Sequence, residues 1–132
     1  MPTQTALSED ALWLDFEPMD RMNREWMDLL TRAQAATDAQ LAQAWSDLVQ
    51  HAAAHFGTED GWMRRTGYGH AEAHSLEHRV VLNLLREGLV GARGGDLAPV
   101  RQMAGELGVW FRRHTQSLDA ALALHMRRHA TA

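Results

Sequence analysis

From Leu41 to Trp62 the chain keeps one spacing without a break. Leu41, Trp45, Leu48, Ala52, His55, Glu59 and Trp62 follow one another in alternating steps of four and three residues. That is the period of one face of an α-helix, and a strand, whose faces alternate every second residue, would scatter these positions over both sides. A face of this kind has to be covered by other helices, so the stripe points to an all-α architecture. It also sets an imidazole and a carboxylate among the buried positions by the same rule that puts Trp45 and Leu48 there.

The same rhythm recurs in three further segments. A first helix, about 18–36, opens at Glu17 and Pro18 and turns Met19, Asn23, Trp26, Leu30 and Ala33 inward. "TDAQL" at 37–41 reads as a capping box, with Thr37 and Gln40 serving each other's backbone amides, and starts the second helix, about 38–65. After the turn "TGYG" at 66–69, a third helix, about 70–90, aligns His74, His78, Val81 and Leu85. "GARGG" at 91–95 breaks the chain again, and a fourth helix, about 96–128, is expected to be capped by Asp96 and to tolerate Pro99 in its first turn. Met103, Leu107, Trp110 and His114 form its stripe. Four amphipathic helices with short connections make an up-down-up-down four-helix bundle, one domain over 1–132 with residues 1–17 as an N-terminal extension.

The fourth helix holds an irregularity. Asp119 follows His114 by five residues, which on a straight helix turns it about 140° away. The inward series nevertheless resumes best as Asp119, Leu122 and Met126, as though one extra residue had been inserted. A π-bulge between His114 and Asp119 does that. The alternative is that Leu118 carries the core and Asp119 lies at the surface.

His55, Glu59, His74, His78 and His114 thus project inward from three helices. A lone carboxylate in a dry core costs several kcal/mol and would take up a proton. Imidazoles around it could share that burden by hydrogen bonding, but a divalent cation with nitrogen and oxygen donors does so better. Donors four residues apart on a helix lie one pitch apart on nearly the same face and can reach one centre.

Composition narrows the chemistry. The 132 residues contain no Cys, which removes disulfides, thiolate metal sites and thiol nucleophiles together. The net charge is −4, and the basic residues are all Arg, scattered or paired, so nucleic acid is a poor partner. No apolar run approaches the roughly 20 residues that span a bilayer, and "MPTQTALSED" has no signal-peptide pattern, so a soluble, cytoplasmic chain without a membrane partner is expected. No Ser-His-Asp ordering or phosphate-binding Gly loop is present.

Other conspicuous residues have plainer readings. His70 fits a capping or solvent role, and His125 and His129 fit a basic surface turn at a helix end. Trp62 and Trp110 fall in register to line the pocket. Gly57 and Gly61 are positions where a neighbouring helix could come close. Glu77 and Glu106 are near enough in register to support histidine ligands.

Three spaced motifs in order carry a family resemblance: H-x-x-x-E at His55 and Glu59, H-x-x-x-H at His74 and His78, and Trp110 followed by H-x-x-x-x-D at His114 and Asp119. With "HF" at 55–56, Tyr68 ahead of His74 and "FEPMD" at 16–20, the chain resembles the hemerythrins, in particular the bacterial single-domain members, from about Trp13 to Met126. The resemblance implies two irons bridged by Glu59, Asp119 and an oxo or hydroxo group. One iron would take His74, His78 and His114. The other would take His55 and a histidine of the first helix, with an open position for dioxygen or small ligands such as azide and peroxide. It implies a binder, sensor or store of oxygen rather than a turnover enzyme.

Two departures bear on that expectation. The first-helix ligand should sit three residues after Asp20, where this chain has Asn23, and no His precedes His51. An amide oxygen is a weaker ligand for iron than imidazole. The second iron position is therefore expected to be filled but more open, with Asn23 or water completing it and His51 as an alternative donor. Thr115 and Gln116 bring polarity where apolar residues are common in relatives. An open site with a proton donor nearby suits peroxide reduction or ferrous-iron oxidation, which stands as a second reading. A metal-poor bundle serving as an interaction module is the third.

Overall fold

Each expected helix forms where its period places it. The structure, a computed structural model, describes residues 12–131. It contains α1 (Glu17–Ala35), α2 (Asp38–Arg65), α3 (Ala71–Arg93), α4 (Ala98–His114), a π-helical turn (Thr115–Asp119) and α5 (Ala120–Thr131). The last three run on as one bent rod, which is the fourth helix of the bundle. α1 packs on α2 and α4, and α3 packs on α2 and α4, giving the square up-down-up-down arrangement. No helix among the described residues is long and apolar enough to cross a membrane.

The helix ends follow local chemistry. Pro18 sits in the first turn of α1, and Gln40 Oε1 accepts the Thr37 N–H at 3.2 Å, the reciprocal half of the expected capping box. Asp96 does not cap the fourth helix. That helix starts two residues later behind Leu97, while Asp96 is exposed and its N–H bonds the Gly91 carbonyl at 2.9 Å. The "GARGG" turn needs Asp96 to close on itself, and Pro99 in the first turn leaves one fewer amide to satisfy. Arg101 reaches across to the Ala36 carbonyl at 3.0 Å and to Asp38 at 2.6 Å, tying the α1–α2 connection to α4.

Residues 1–11 of the expected N-terminal extension lie outside the described residues. The segment from Leu12 to Phe16 is pinned to the bundle rather than loose. Leu12 is buried in the main core, and the Asp20 carboxylate accepts the N–H groups of Leu14 at 2.7 Å and Phe16 at 3.0 Å. Those two bonds wrap the chain around Asp20 and hold the intervening Asp15 at φ 55°, a left-handed conformation rare outside glycine. Asp20 thereby anchors the chain as it leads into α1.

The apolar residues divide into two clusters. The larger joins Trp26, Leu30, Leu41, Trp45, Leu48, Phe56, Leu85, Leu107 and Phe111. The smaller consists of Met19, Met63, Leu122 and Ala123, with Phe16, Trp62 and Tyr68 packed on it. Along every helix the residues between these clusters are polar: Asn23 on α1, Glu59 on α2, His74 and His78 on α3, and His114 to Asp119 on the fourth rod. The bundle is thus an apolar plug, a polar layer and a second apolar plug. Burying one large side chain contributes about 1.5–3 kcal/mol, so the plugs supply the stability that the polar layer does not.

Trp62 departs from expectation. Met63, not Trp62, is the next buried large side chain after Glu59, and Trp62 packs edge-on against Phe16 in the smaller plug, 5.6 Å between ring centres. A step of four keeps Met63 on the stripe, and the segment leading into α1 supplies the surface that Trp62 covers. Gly57 and Gly61 do not mark close helix approach either: a Cβ at Gly57 would meet nothing within 4 Å, and one at Gly61 would meet only the Arg65 side chain. The close approach is at Gly88, where a Cβ would lie 3.1 Å from Trp45 Nε1, whose N–H donates to the Leu85 carbonyl at 2.8 Å.

Candidate metal centre

The polar layer brings five donors together. One ligand atom each from Glu59, His74, His78, His114 and Asp119 lies within 4.8 Å of every other, and all five residues are buried. His74 Nε2 and His114 Nε2 are both 3.1 Å from Asp119 Oδ1 and 3.3 Å from each other. His78 Nε2 and His74 Nε2 lie 3.2 and 3.6 Å from Glu59 Oε1. Adjacent donors around a six-coordinate first-row cation, with bonds of about 2.1 Å, sit about 3 Å apart. The observed separations match the edges of such a shell.

The orphaned atoms point the same way. Glu59 Oε1 and His78 Nε2 are buried and near each other, yet they share no aligned hydrogen bond. Two such groups left unpaired cost about 1–3 kcal/mol each, unless a third partner stands between them. A cation is such a partner. The residues present therefore fit a divalent metal.

The π turn is what admits Asp119. Over Thr115–Asp119 the register opens so that the Ala120 N–H reaches the Thr115 carbonyl, five residues back. The extra residue turns Asp119 inward, where it is fully buried, while Leu118 is only half buried. The expected bulge is present, and the alternative in which Leu118 carries the core is excluded.

Each carboxylate presents an oxygen to either side. Glu59 Oε1 faces His74 and His78, and its Oε2 lies 3.0 Å from His55 Nε2. Asp119 Oδ1 faces His74 and His114, and its Oδ2 accepts the Thr115 hydroxyl at 3.4 Å. His55 joins the cluster only through Glu59. Asn23 lies in the same layer on α1, buried at 1 % exposure, with neither Oδ1 nor Nδ2 paired. The His55 Nδ1 and the neighbouring Trp26 Nε1 are unpaired as well.

The electrostatics of the layer couple His114 to Asp119. Burial pulls the His114 pKa down, but the hydrogen bond and charge of Asp119, followed by Glu77 and Glu59, outweigh it and raise it to about 9. Burial pushes the Asp119 carboxyl up, yet its bonds to His114 and His74 hold it well below the usual carboxylate range.

Aromatic walls complete the site. Trp110 stacks on His114, 4.8 Å between centres, and Phe56 lies flat on His78 at 4.2 Å with the planes 6° apart. Trp26 stacks on Phe111 beside His55. Trp110 was expected there; Phe56 and Phe111 flank the stripes and escape a reading of spacing alone. Gln116, by contrast, is exposed and away from the cluster, whereas Thr115 is fully buried.

His51 lies edge-on to His55, 5.4 Å between ring centres, with its Nε2 turned toward α1. Its Nε2–H donates to the Met22 carbonyl at 3.1 Å, and burial, then the nearby His55, lowers its pKa. His125 is half buried rather than on the surface: the Thr66 hydroxyl donates to the Trp62 carbonyl and accepts from His125 Nε2 at 2.8 Å, with Tyr68 alongside. His129 and His70 are exposed, and His70 stands at the N-cap of α3 without a side-chain capping bond. Glu77 bonds His114 Nδ1 at 3.1 Å, while Glu106 is exposed and bonds Gln102. Asp60 was not foreseen; its carboxylate accepts His78 Nδ1–H at 2.9 Å and the Ser75 hydroxyl at 2.7 Å.

Fold and site together define a four-helix bundle with a buried histidine and carboxylate site suited to a cation. The family profile described as "Hemerythrin HHE cation binding domain" matches residues 15–123, and the chain belongs to that family. It is similar to the bacteriohemerythrin of Ralstonia nicotianae (strain ATCC BAA-1114 / GMI1000), 31% identical over 110 residues, which span 83% of this chain and 80% of the relative. No solved structure matches it.

Proposed function

We propose that the chain is a non-heme iron protein that binds dioxygen at a centre for two irons, one position held tightly and the other weakly. The observation that carries this is the convergence of Glu59, His74, His78, His114 and Asp119 within 4.8 Å. These five side chains would hold the first iron. The second position would draw on Glu59 Oε2, His55 and Asp119 Oδ2, with Asn23 as the donor from α1. Iron bound there supplies an open coordination position for dioxygen, azide or peroxide.

The chain's own residues do the rest. Glu59 sets one oxygen against His55 and the other against His74 and His78, while Asp119 sets one against His74 and His114 and the other against the Thr115 hydroxyl. Trp26, Phe56, Trp110 and Phe111 wall the layer and keep bulk water from it. Anaerobic reconstitution with ferrous iron, then spectra under nitrogen, air and azide, tests the reading. A new visible band on air exposure that reverses under nitrogen and shifts with azide is expected. A reconstituted protein that retains no iron overturns it.

Peroxide reduction or ferrous-iron oxidation is the second reading, favoured by one observation: the fully buried Thr115 hydroxyl beside Asp119 Oδ2 is a hydrogen-bond donor inside the layer. In that case Thr115→Val slows peroxide consumption by the reconstituted protein at least tenfold. Equal rates in parent and variant remove the support for it.

A further inference from the structure

Two of the four imidazoles are held from behind and two are not. His78 Nδ1–H donates to Asp60 at 2.9 Å, and His114 Nδ1–H donates to Glu77 at 3.1 Å. The same two rings carry the flat aromatic plates, Phe56 on His78 and Trp110 on His114. His74 and His55 have their Nδ1 atoms buried and unpaired. Ring rotation is therefore blocked at His78 and His114 by a hydrogen bond in the ring plane and a stack against its face.

The supporting carboxylates come from outside the stripe. Asp60 follows Glu59 by one residue, so it points about 100° away from the cluster, toward α3. There Ser75 donates to the same Oδ1 that accepts from His78. Glu77 on α3 reaches across to His114 on α4. Each carboxylate thus stands on a different helix from the imidazole that it holds. The side chains of Asp60 and Glu77 are 23% and 35% exposed, so solvent offsets part of the cost of their charge.

An Nδ1–H bond to a carboxylate fixes the tautomer that leaves the Nε2 lone pair facing inward and makes that nitrogen a stronger donor. We propose that Asp60, held by Ser75, and Glu77 are positioning residues that fix His78 and His114 as Nε2 donors and make the α3–α4 half of the cluster the high-affinity cation position. This rests on the reading of the cluster as a metal centre. The half nearer α1 has no such support, since His55 Nδ1 and the Asn23 amide have no partner.

The test uses Co2+ alone as the probe, with affinity read by competition against a chromophoric chelator on the full chain. Asp60→Asn and Glu77→Gln should each weaken the tighter equivalent 10- to 100-fold, the range usual for lost carboxylate support. Glu106→Gln removes an equal charge with no contact to an imidazole and should change affinity less than threefold. Asp60→Asn keeps an acceptor, so it folds even where Asp60→Ala does not. The exchangeable Nδ1–H proton signal of His78 in the Co2+ protein should exchange with solvent faster in Asp60→Asn, with that of His114 unchanged. Affinities within threefold of the parent for both variants, or unaltered proton exchange, overturn the inference. A parent protein that binds no Co2+ defeats instead the metal-centre reading on which the inference rests.

Discussion

Replacing Asn23 with leucine probes the polar layer where it is least satisfied. Both amide atoms of Asn23 are buried without a partner. A buried polar group in that state costs about 1–3 kcal/mol. Leucine has the same branched outline, with carbons where the amide has oxygen and nitrogen. Taking the relief as about 2 kcal/mol, and the unfolding entropy as about 2.1 cal/mol/K per residue, the 132-residue chain should melt about 7 °C higher in its cation-free form. The same change removes the donor that α1 offers, so the rise in melting temperature on adding a fixed excess of ferrous iron should be smaller than in the parent. Calorimetric melts of chelator-treated and iron-loaded protein, under nitrogen, measure both. A cation-free Asn23→Leu protein that melts at or below the parent refutes the reasoning, because the amide would then have been paired.

The His114–Asp119 contact makes the cation-free protein sensitive to pH. His114 is raised to about 9 in the fold, so its contribution is complete below about pH 6.5 and is lost as pH climbs through 9; melting temperature should fall over that window and His114→Gln should flatten the fall. Asp119 is depressed, so its contribution is present above its unfolded value near 4 and fades below that value, which acid titration of the melting temperature will show. Gly57→Ala should stabilise by about 1 kcal/mol in denaturant unfolding, because helical Gly is costly and a Cβ there meets nothing. Gly88→Ala should be less stable than Gly57→Ala by about 1–3 kcal/mol, since its Cβ would press on Trp45 Nε1 at 3.1 Å, an atom held by its bond to the Leu85 carbonyl.

The features readable from sequence were those governed by period. Stripes at steps of three and four placed Leu41, Trp45, Leu48, His55 and Glu59 correctly, and the five-residue gap before Asp119 disclosed the π turn. Contacts between helices left no such trace. Asp60 sits one residue off a stripe, and its two partners are 15 and 18 residues away on α3, so nothing local marks it. Phe111 was masked by Trp110 beside it: the tryptophan drew the assignment, while the smaller ring entered the core. Asp96 followed a sound capping preference and was overruled by the turn before it, whose closure used its backbone amide. Asp20 shows a similar limit, since its role depends on where residues 14–16 fold back.

The π turn sets apart two properties that usually travel together. Deleting a single residue between Thr115 and Asp119 would let the rod close into uninterrupted α-helix, with better backbone geometry and the apolar plugs intact. The carboxylate would then follow His114 by four residues, about 40° round on the same face, and keep its inward aim. A lineage of such bundles can therefore gain or lose the inserted residue without changing its shape or the aim of that carboxylate, whereas a straight helix that kept the five-residue spacing would turn it about 140° from His114 and be a sound scaffold with an incomplete centre.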